Sequence, residues 1–219
     1  EACRPYVKDM KEMIQSLKER NLYVIARVVA FRDPYLAEKK PEWSLHTADG
    51  KLYRDKQGMA WIDPYCKEVW DYLMEVGTIA KEVGFDEVQF DYIRFSTDST
   101  MKNVVYDEER TQGRSKTEVI TEFCQYAYEN LASQGLFVSA DVFGTIIGSE
   151  IDANAVGQIY TDMAKHLDYI CPMVYPSHYA KGWANIPNPN SEPYKLVSYE
   201  MKASVERLEE LRGSGENCA

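Results

Sequence analysis

The chain has 219 residues, 45% hydrophobic and 27% charged, and its 12 Gly and 9 Pro are about a tenth of it. Chains that stay disordered carry roughly 25–30% Pro plus Gly or few apolar residues, so disorder is excluded as the main state. The 35 acids against 25 bases give a net charge of −10. With the basic segment Lys8 to Lys18 interrupted by acids, nucleic acid, which binds through neutralised phosphates, is excluded as an expected partner.

Taken in chain order, Val7, Met10, Ile14 and Leu17 recur at helical spacing up to Asn21. Leu22 to Phe31 is β-branched and nearly continuous, the pattern of a buried strand. Arg27 interrupts this apolar run, which is far short of the ~20 residues of a membrane-spanning helix, so no span is predicted. A long irregular stretch follows, punctuated by Pro34, Pro41, Gly50 and Gly58. Asp63-Pro64 then predicts a helix start that runs to Gly84, with Asp as the cap and Pro in the first turn. Three more units repeat the order: strand 86–95 with helix 115–133, strand 136–144 with a short helix 154–166, and strand 168–176 with a final helix 194–211. Repeated strand–helix units imply a parallel α/β sheet with right-handed crossovers. Four strands in 219 residues are about 55 residues per unit, against about 31 in a complete eight-stranded barrel. A fragment of a barrel, an open sheet and a half-barrel completed by a partner all satisfy that count. One unit of structure over residues 1–219 is expected.

The chain opens at Glu1 and runs directly into a helical pattern, so it reads as an excised or processed piece. Its cysteines (Cys3, Cys66, Cys124, Cys171 and Cys218) are scattered with no CxxC pair, so no zinc framework is predicted. Cys124 and Cys171 lie in apolar stretches and read as small buried hydrophobes.

Side chains alternate along a strand. Val88, Phe90 and Tyr92 are expected to face the helices, which turns Gln89 and Asp91 to the interior. Likewise Val138, Ala140 and Val142 face outward and Ser139 and Asp141 inward, while Val24, Ala26, Val28 and Ala30 turn Arg27 inward. Three neighbouring strands thus aim Arg27, Asp91 and Asp141 at one interior. Ionised carboxylates inside a protein cost several kcal/mol unless paired. Two in one cavity point to catalysis, to a cation such as Mg²⁺ or Ca²⁺, or to a structural ion pair with Arg27.

The segments GFDEVQFDYIRF (84–95), SADVFG (139–144) and PMVYPSHY (172–179), with IARVVAFRDP (25–34) and WIDPYCKEVWDY (61–72), resemble a bacterial family of glycoside hydrolase-like proteins, formerly a domain of unknown function. The resemblance covers nearly the whole chain. It implies a TIM-barrel-like domain with Asp91 as a catalytic carboxylate, further strands before and after this segment, a carbohydrate substrate and an exported or cell-surface location. Glycoside hydrolysis uses two carboxyl groups. Asp91 is then the candidate nucleophile or base, held ionised by Arg27 and Arg94. Asp141, beside Phe143, is the candidate acid, its affinity for the proton raised by apolar surroundings. Asp33, Asp63 and Asp98 are lesser candidates.

Gln89, Tyr92, Trp61, Tyr175 and His178, with Arg27 and Arg94, are the expected sugar contacts, since sugars stack on aromatics and bond to planar polar groups. Trp43 and Trp183 serve equally as stacking rings or as lids over the core. The three histidines (His46, His166 and His178) lack metal-ligand spacing, and His166, closing a helix, suits a dipole role. No GxGxxG, Walker or GxSxG pattern occurs, so neither cofactor nor metal is predicted. A non-catalytic carbohydrate-binding or cell-envelope module on the same fold is the competing reading. Open strand edges predict a homo-oligomer that covers them.

Overall fold

The structure, a computed structural model, describes residues 6–215, and Cys3 and Cys218 lie outside them. In chain order the elements begin with α1 (Met10–Lys18), β1 (Ile25–Val29), α2 (Pro34–Lys39), β2 (His46–Thr47), α3 (Lys67–Val83) and β3 (Glu87–Asp91). They continue with β4 (Val104–Val105), α4 (Glu108–Thr111), α5 (Lys116–Ala132), β5 (Phe137–Phe143), α6 (Glu150–Val156), α7 (Tyr160–Ala164), β6 (Tyr169–Met173) and α8 (Pro193–Gly213). β1, β3, β5 and β6 form one parallel four-stranded sheet in that order, and β2 pairs antiparallel with β4 in the loops. The sheet is open, with β1 and β6 at its edges. The fold is therefore a four-strand portion of a (β/α) barrel-like architecture.

Local chemistry sets most boundaries. Asp9 caps α1 by accepting the Glu12 N–H at 2.9 Å, and α3 stops at Gly84, whose φ of 111° is open to glycine. At the start of α5, Ser115 and Glu118 form a reciprocal capping box. Two aspartates standing just before strands hold the neighbouring strands in place. Asp86 accepts the Val24 N–H and Asp168 the Val138 N–H, each at 2.8 Å.

Two helix boundaries differ from the sequence expectation. Asp63-Pro64 makes a turn, and α3 begins only at Lys67. Asp63 accepts the Tyr65 N–H, its carbonyl accepts the Cys66 N–H at 3.0 Å to close the turn, and the Pro64 carbonyl takes the Trp70 indole N–H at 2.8 Å. The helix expected over 154–166 is two helices, α6 and α7, divided at Gly157 with φ 80°. A Cβ at Gly157 would stand 2.7 Å from the Lys116 carbonyl oxygen, so a glycine is required twice over. The break delivers the fully buried Gln158 beneath the sheet end, where Oε1 accepts the Phe143 N–H and Nε2 donates to the Ile93 carbonyl. One amide thereby ties together the segments that leave β3 and β5.

The helix-facing side of the sheet is dry. Val88, Phe90, Val138, Ala140 and Val142 are all buried and lie in the main core cluster with α3 and α5 residues. Phe123 of α5 stands edge-on to Phe31, Trp70 and Phe90 at 5.2–5.6 Å. The other face is open: Tyr23, Ile25, Phe137 and Tyr169 are 43–50% exposed, and the Phe137 ring lies between those of Tyr23 and Tyr169. Among the described residues no helix is long and apolar enough to cross a membrane.

Gly157→Ala should destabilise the fold by about 1–3 kcal/mol, the cost of a strained φ made worse by the carbonyl contact. Ser115→Ala should cost about 1 kcal/mol through its cap alone. Urea unfolding of both variants checks the order.

Candidate active site

The register puts Arg27, Gln89 and Ser139 in one row across β1, β3 and β5, with Tyr169 of β6 continuing it. Two residues further along, Val29 pairs with Asp91 and Asp141 with Cys171, and continuing the β3–β5 register past Phe90↔Ala140 sets Asp91 beside Asp141. Neighbouring strands are ~4.8 Å apart, so Asp91 and Asp141 are adjacent on the open face. Arg27 joins them. Its Nη2 is ion-paired to Asp91 Oδ2, and its Nε lies 4.0 Å from Asp141 Oδ2. The Arg27 side chain is 54% exposed, whereas the Asp91 and Asp141 side chains are 8% and 15% exposed. The second Asp91 oxygen accepts the Tyr92 N–H at 2.6 Å.

These surroundings act strongly on Asp141. Burial first, then the charge of Asp91, pushes its carboxyl up to about 6, with Arg27 opposing. Arg94 does not pair with Asp91 as the sequence led us to expect. Its Nη1 donates to the Phe95 carbonyl, and it reaches Asp91 only through the longer-range field.

Tyr92 departs from the alternation. The strand ends at Asp91, and Tyr92 takes a left-handed φ of 54° that swings its ring away from the helices. The ring instead meets Trp61 edge-on at 6.1 Å, and its hydroxyl accepts from Arg32 at 3.3 Å. Arg32, Asp55, Trp61, Tyr92 and Arg94 line a polar cleft of about 320 Å³. Trp61 is only 2% exposed and its indole N–H is bound to Asp55, so it is a cleft wall rather than an open stacking platform. On the far side, Phe143, Gly144, Met173 and His178 line a second cleft of about 400 Å³. The His178 ring packs against Tyr175 at 5.2 Å and Phe143 at 6.2 Å.

The structure thus gathers Arg27, Gln89, Asp91 and Asp141 on one face, flanked by Trp61, Tyr92 and Arg94 in one cleft and by His178 with Tyr175 beside the other. Gln89 donates to Cys171 Sγ at 3.5 Å, so Cys171 belongs to this half-open face and not to the core expected for it. Cys124 is buried. The lesser acids have local tasks: Asp33 caps α2, Asp98 caps the turn at Thr100, and Asp63 is buried against Tyr65 and Arg110, its carboxyl pushed up to about 6 by burial. Trp43 lies under Lys40, and Trp183 donates to Glu200. Burial pushes the His166 imidazole down, against the cationic form that a helix-end role uses. Sequence reasoning missed Glu87, which strict alternation from Gln89 places on the same face. It is 3% exposed and accepts from Ser139 and, at 2.8 Å, Tyr23. Among the described residues no group of three or more His, Cys, Asp or Glu is arranged to hold a metal ion.

A parallel sheet with carboxylates toward the C-terminal ends of its strands matches where (β/α) barrels place their active sites. The chain belongs to the family described as "Putative glycosyl hydrolase domain", whose model matches residues 1–216. It is similar to a hypothetical protein from Ruminiclostridium thermocellum, with 41% identity, TM-score 0.54, and coverage of 61% of this chain and 65% of that one. The glycoside hydrolase domain of PgaB (BpsB) from Bordetella bronchiseptica shares the fold at 13% identity and TM-score 0.56, covering 94% of this chain and 62% of that one. The spore cortex-lytic enzyme SleL of Bacillus megaterium does so at 14% identity and TM-score 0.50, covering 90% and 36%. The chain spans less than two thirds of the length of each. No curated protein sequence matches it.

The raised Asp141 carboxyl fixes the sign of a pH effect. Between its unfolded value, ~3.9, and about 6, the folded state holds a proton that the unfolded chain has released. Stability attached to this group is therefore full below pH ~4 and is lost as pH rises through 6. Asp141→Asn should gain on the wild type over that window, by at most about 3 kcal/mol. Thermal melts of both proteins at pH 4 and pH 7 measure the difference.

Proposed function

We propose that this chain is a carbohydrate-cleaving unit of its family, acting on a poly- or oligosaccharide through the Asp91–Asp141 pair. The supporting observation is that one half-exposed arginine joins two largely buried carboxylates on adjacent strands, with burial and the charge of Asp91 pushing the Asp141 carboxyl up to about 6. In this reading Asp141 is the general acid that protonates the glycosidic oxygen, and its proton affinity suits work near pH 6. Asp91, ion-paired and acceptor-only, attacks the anomeric carbon or activates a water. Arg27 balances the negative charge. Gln89, Tyr92, Arg94, Tyr175 and His178 hold sugar hydroxyls and ring faces from the two clefts, with Trp61 as their backing.

Residues 1–219 act as one partial barrel domain in this proposal. An exported or cell-surface location fits a glycan substrate, and a homo-oligomer covers the exposed Ile25, Phe137 and Tyr169. Light scattering should give a mass above one chain, and a compact monomer contradicts the association.

A competing reading, a binding module without turnover, draws on the ion pair itself, since an Asp91 occupied by Arg27 is not free to attack. A hydrolysis and binding screen over diverse glycans separates the two. Asp91→Asn and Asp141→Asn should each lower turnover about 10²–10⁴-fold while glycan binding persists. The basic limb of the wild-type kcat/KM profile should fall near pH 6. Binding in all three proteins with no turnover in the wild type supports the module.

A further inference from the structure

The cleft beside Asp91 holds a cation with almost nothing to bind. Arg94 is only 9% exposed, yet a single one of its five N–H donors has a protein partner among the described residues, the Phe95 carbonyl at 2.9 Å. It makes no ion pair there. A buried guanidinium without a carboxylate leaves its desolvation uncompensated. Burial accordingly pushes its pKa down to about 10. Three rings surround it: the guanidinium carbon lies 4.4 Å from the Phe143 ring centre, 5.0 Å from Tyr92 and 5.2 Å from Trp61. The rest of its N–H edge has no protein hydrogen-bond partner among the described residues. That edge is the part that matches a planar or tetrahedral oxyanion two bonds at a time.

The neighbouring charges do not compete for it. Arg32 is committed to Asp55 at 2.8–2.9 Å, to Gln57 and to the Tyr92 hydroxyl. Asp98 accepts the Lys56 and Thr100 N–H groups and lies 3.7 Å from Lys56 Nζ. With Asp55 matched to Arg32 and Asp98 to Lys56, the cleft lining retains one unmatched positive charge, that of Arg94, in a chain whose net charge is −10. A volume of about 320 Å³ sits at the lower end of the roughly 300–1,000 Å³ of small-ligand sites, room for one sugar ring. The cleft adjoins the reacting pair through Tyr92, the residue after Asp91.

We propose that this cleft is a subsite for an acidic sugar, with Arg94 receiving the carboxylate of a uronic acid or the sulfate of a sulfated sugar in the same glycan. The proposal rests on the carbohydrate reading above and deepens it by naming the substrate class. Binding by calorimetry, in the Asp91→Asn background, tests it without requiring turnover. The probes are a glucuronate-containing tetrasaccharide, the same tetrasaccharide with its carboxyls reduced to alcohols, and a sulfated neutral tetrasaccharide.

At least one acidic probe should bind about tenfold or more tightly than the reduced one, and the better acid identifies the group. Its addition should shift the Arg94 Nε–H resonance. Arg94→Lys keeps a charge for the aromatic rings but loses the fork, and should erase most of the preference. Arg94→Gln should abolish it, with near-native melting of the Lys variant guarding against misfolding. Equal binding of acidic and reduced probes, a preference untouched in Arg94→Lys, or no acidic probe bound at millimolar concentration overturns the subsite. Hydrolysis of neutral glycans with no acidic preference would sink the subsite and spare the hydrolase. Arg94-dependent binding of an acidic glycan that is never cleaved would do the reverse.

Discussion

Arg27 sits between Asp91 and Asp141 and sets the terms on which two carboxylates share one face of a sheet. Placed on neighbouring strands with no cation between them, both could not stay ionised at moderate cost. The guanidinium takes Asp91 as its close partner and touches Asp141 only at 4.0 Å. Asp141 is left with burial and the charge of Asp91 acting upward, and Arg27 only partly offsetting them. Asp141 thereby holds its proton well above the usual aspartate value, as a general acid requires. A buried structural pair would hide both partners, whereas here the cation faces the open side and the acids lie beneath it.

The fold supplies this arrangement through register. Parallel pairing of β1, β3 and β5 aligns Arg27 with Gln89 and Ser139, and so sets Asp91 beside Asp141 two residues on. Asp86 and Asp168 fix the strands at their entry ends. Gln158 ties together the segments leaving β3 and β5. On the reverse face the aromatic cluster around Phe123 and the dry residues of β3 and β5 anchor the sheet to α3 and α5. The site stands on strands tied at both ends, while its clefts are shaped by the loops that follow them.

What the sequence disclosed and what it hid divide along physical lines. Alternation and burial placed Val88, Phe90, Val138, Ala140 and Val142 toward the helices and Arg27, Asp91 and Asp141 opposite, because a period of two persists wherever a strand is regular. It failed at Tyr92, where the strand has ended and φ is positive, a change that pattern alone does not signal. The Asp63-Pro64 signal marked a turn closed by the Cys66 N–H on the Asp63 carbonyl, with the helix starting three residues past Pro64. The single helix over 154–166 failed because Gly157, at φ 80°, ends one helix before the next begins. Arg94 was picked out for its proximity to Asp91. Its isolation among three rings depends on Trp61, from the loop after β2, and Phe143, from the end of β5, which meet only in the fold and carry no local signature. Glu87 was legible and overlooked, two residues before Gln89 on the same face.

Carbon-13 NMR titration of the aspartate side-chain carboxyls, in the wild type, Arg27→Gln and Asp91→Asn, reads the shared charge most directly. The account predicts that Asp141 titrates near pH 6, moves higher when Arg27 is replaced and lower when Asp91 is neutralised. An Asp141 titrating near the ~3.9 of an ordinary aspartate, and unmoved by either substitution, would contradict it.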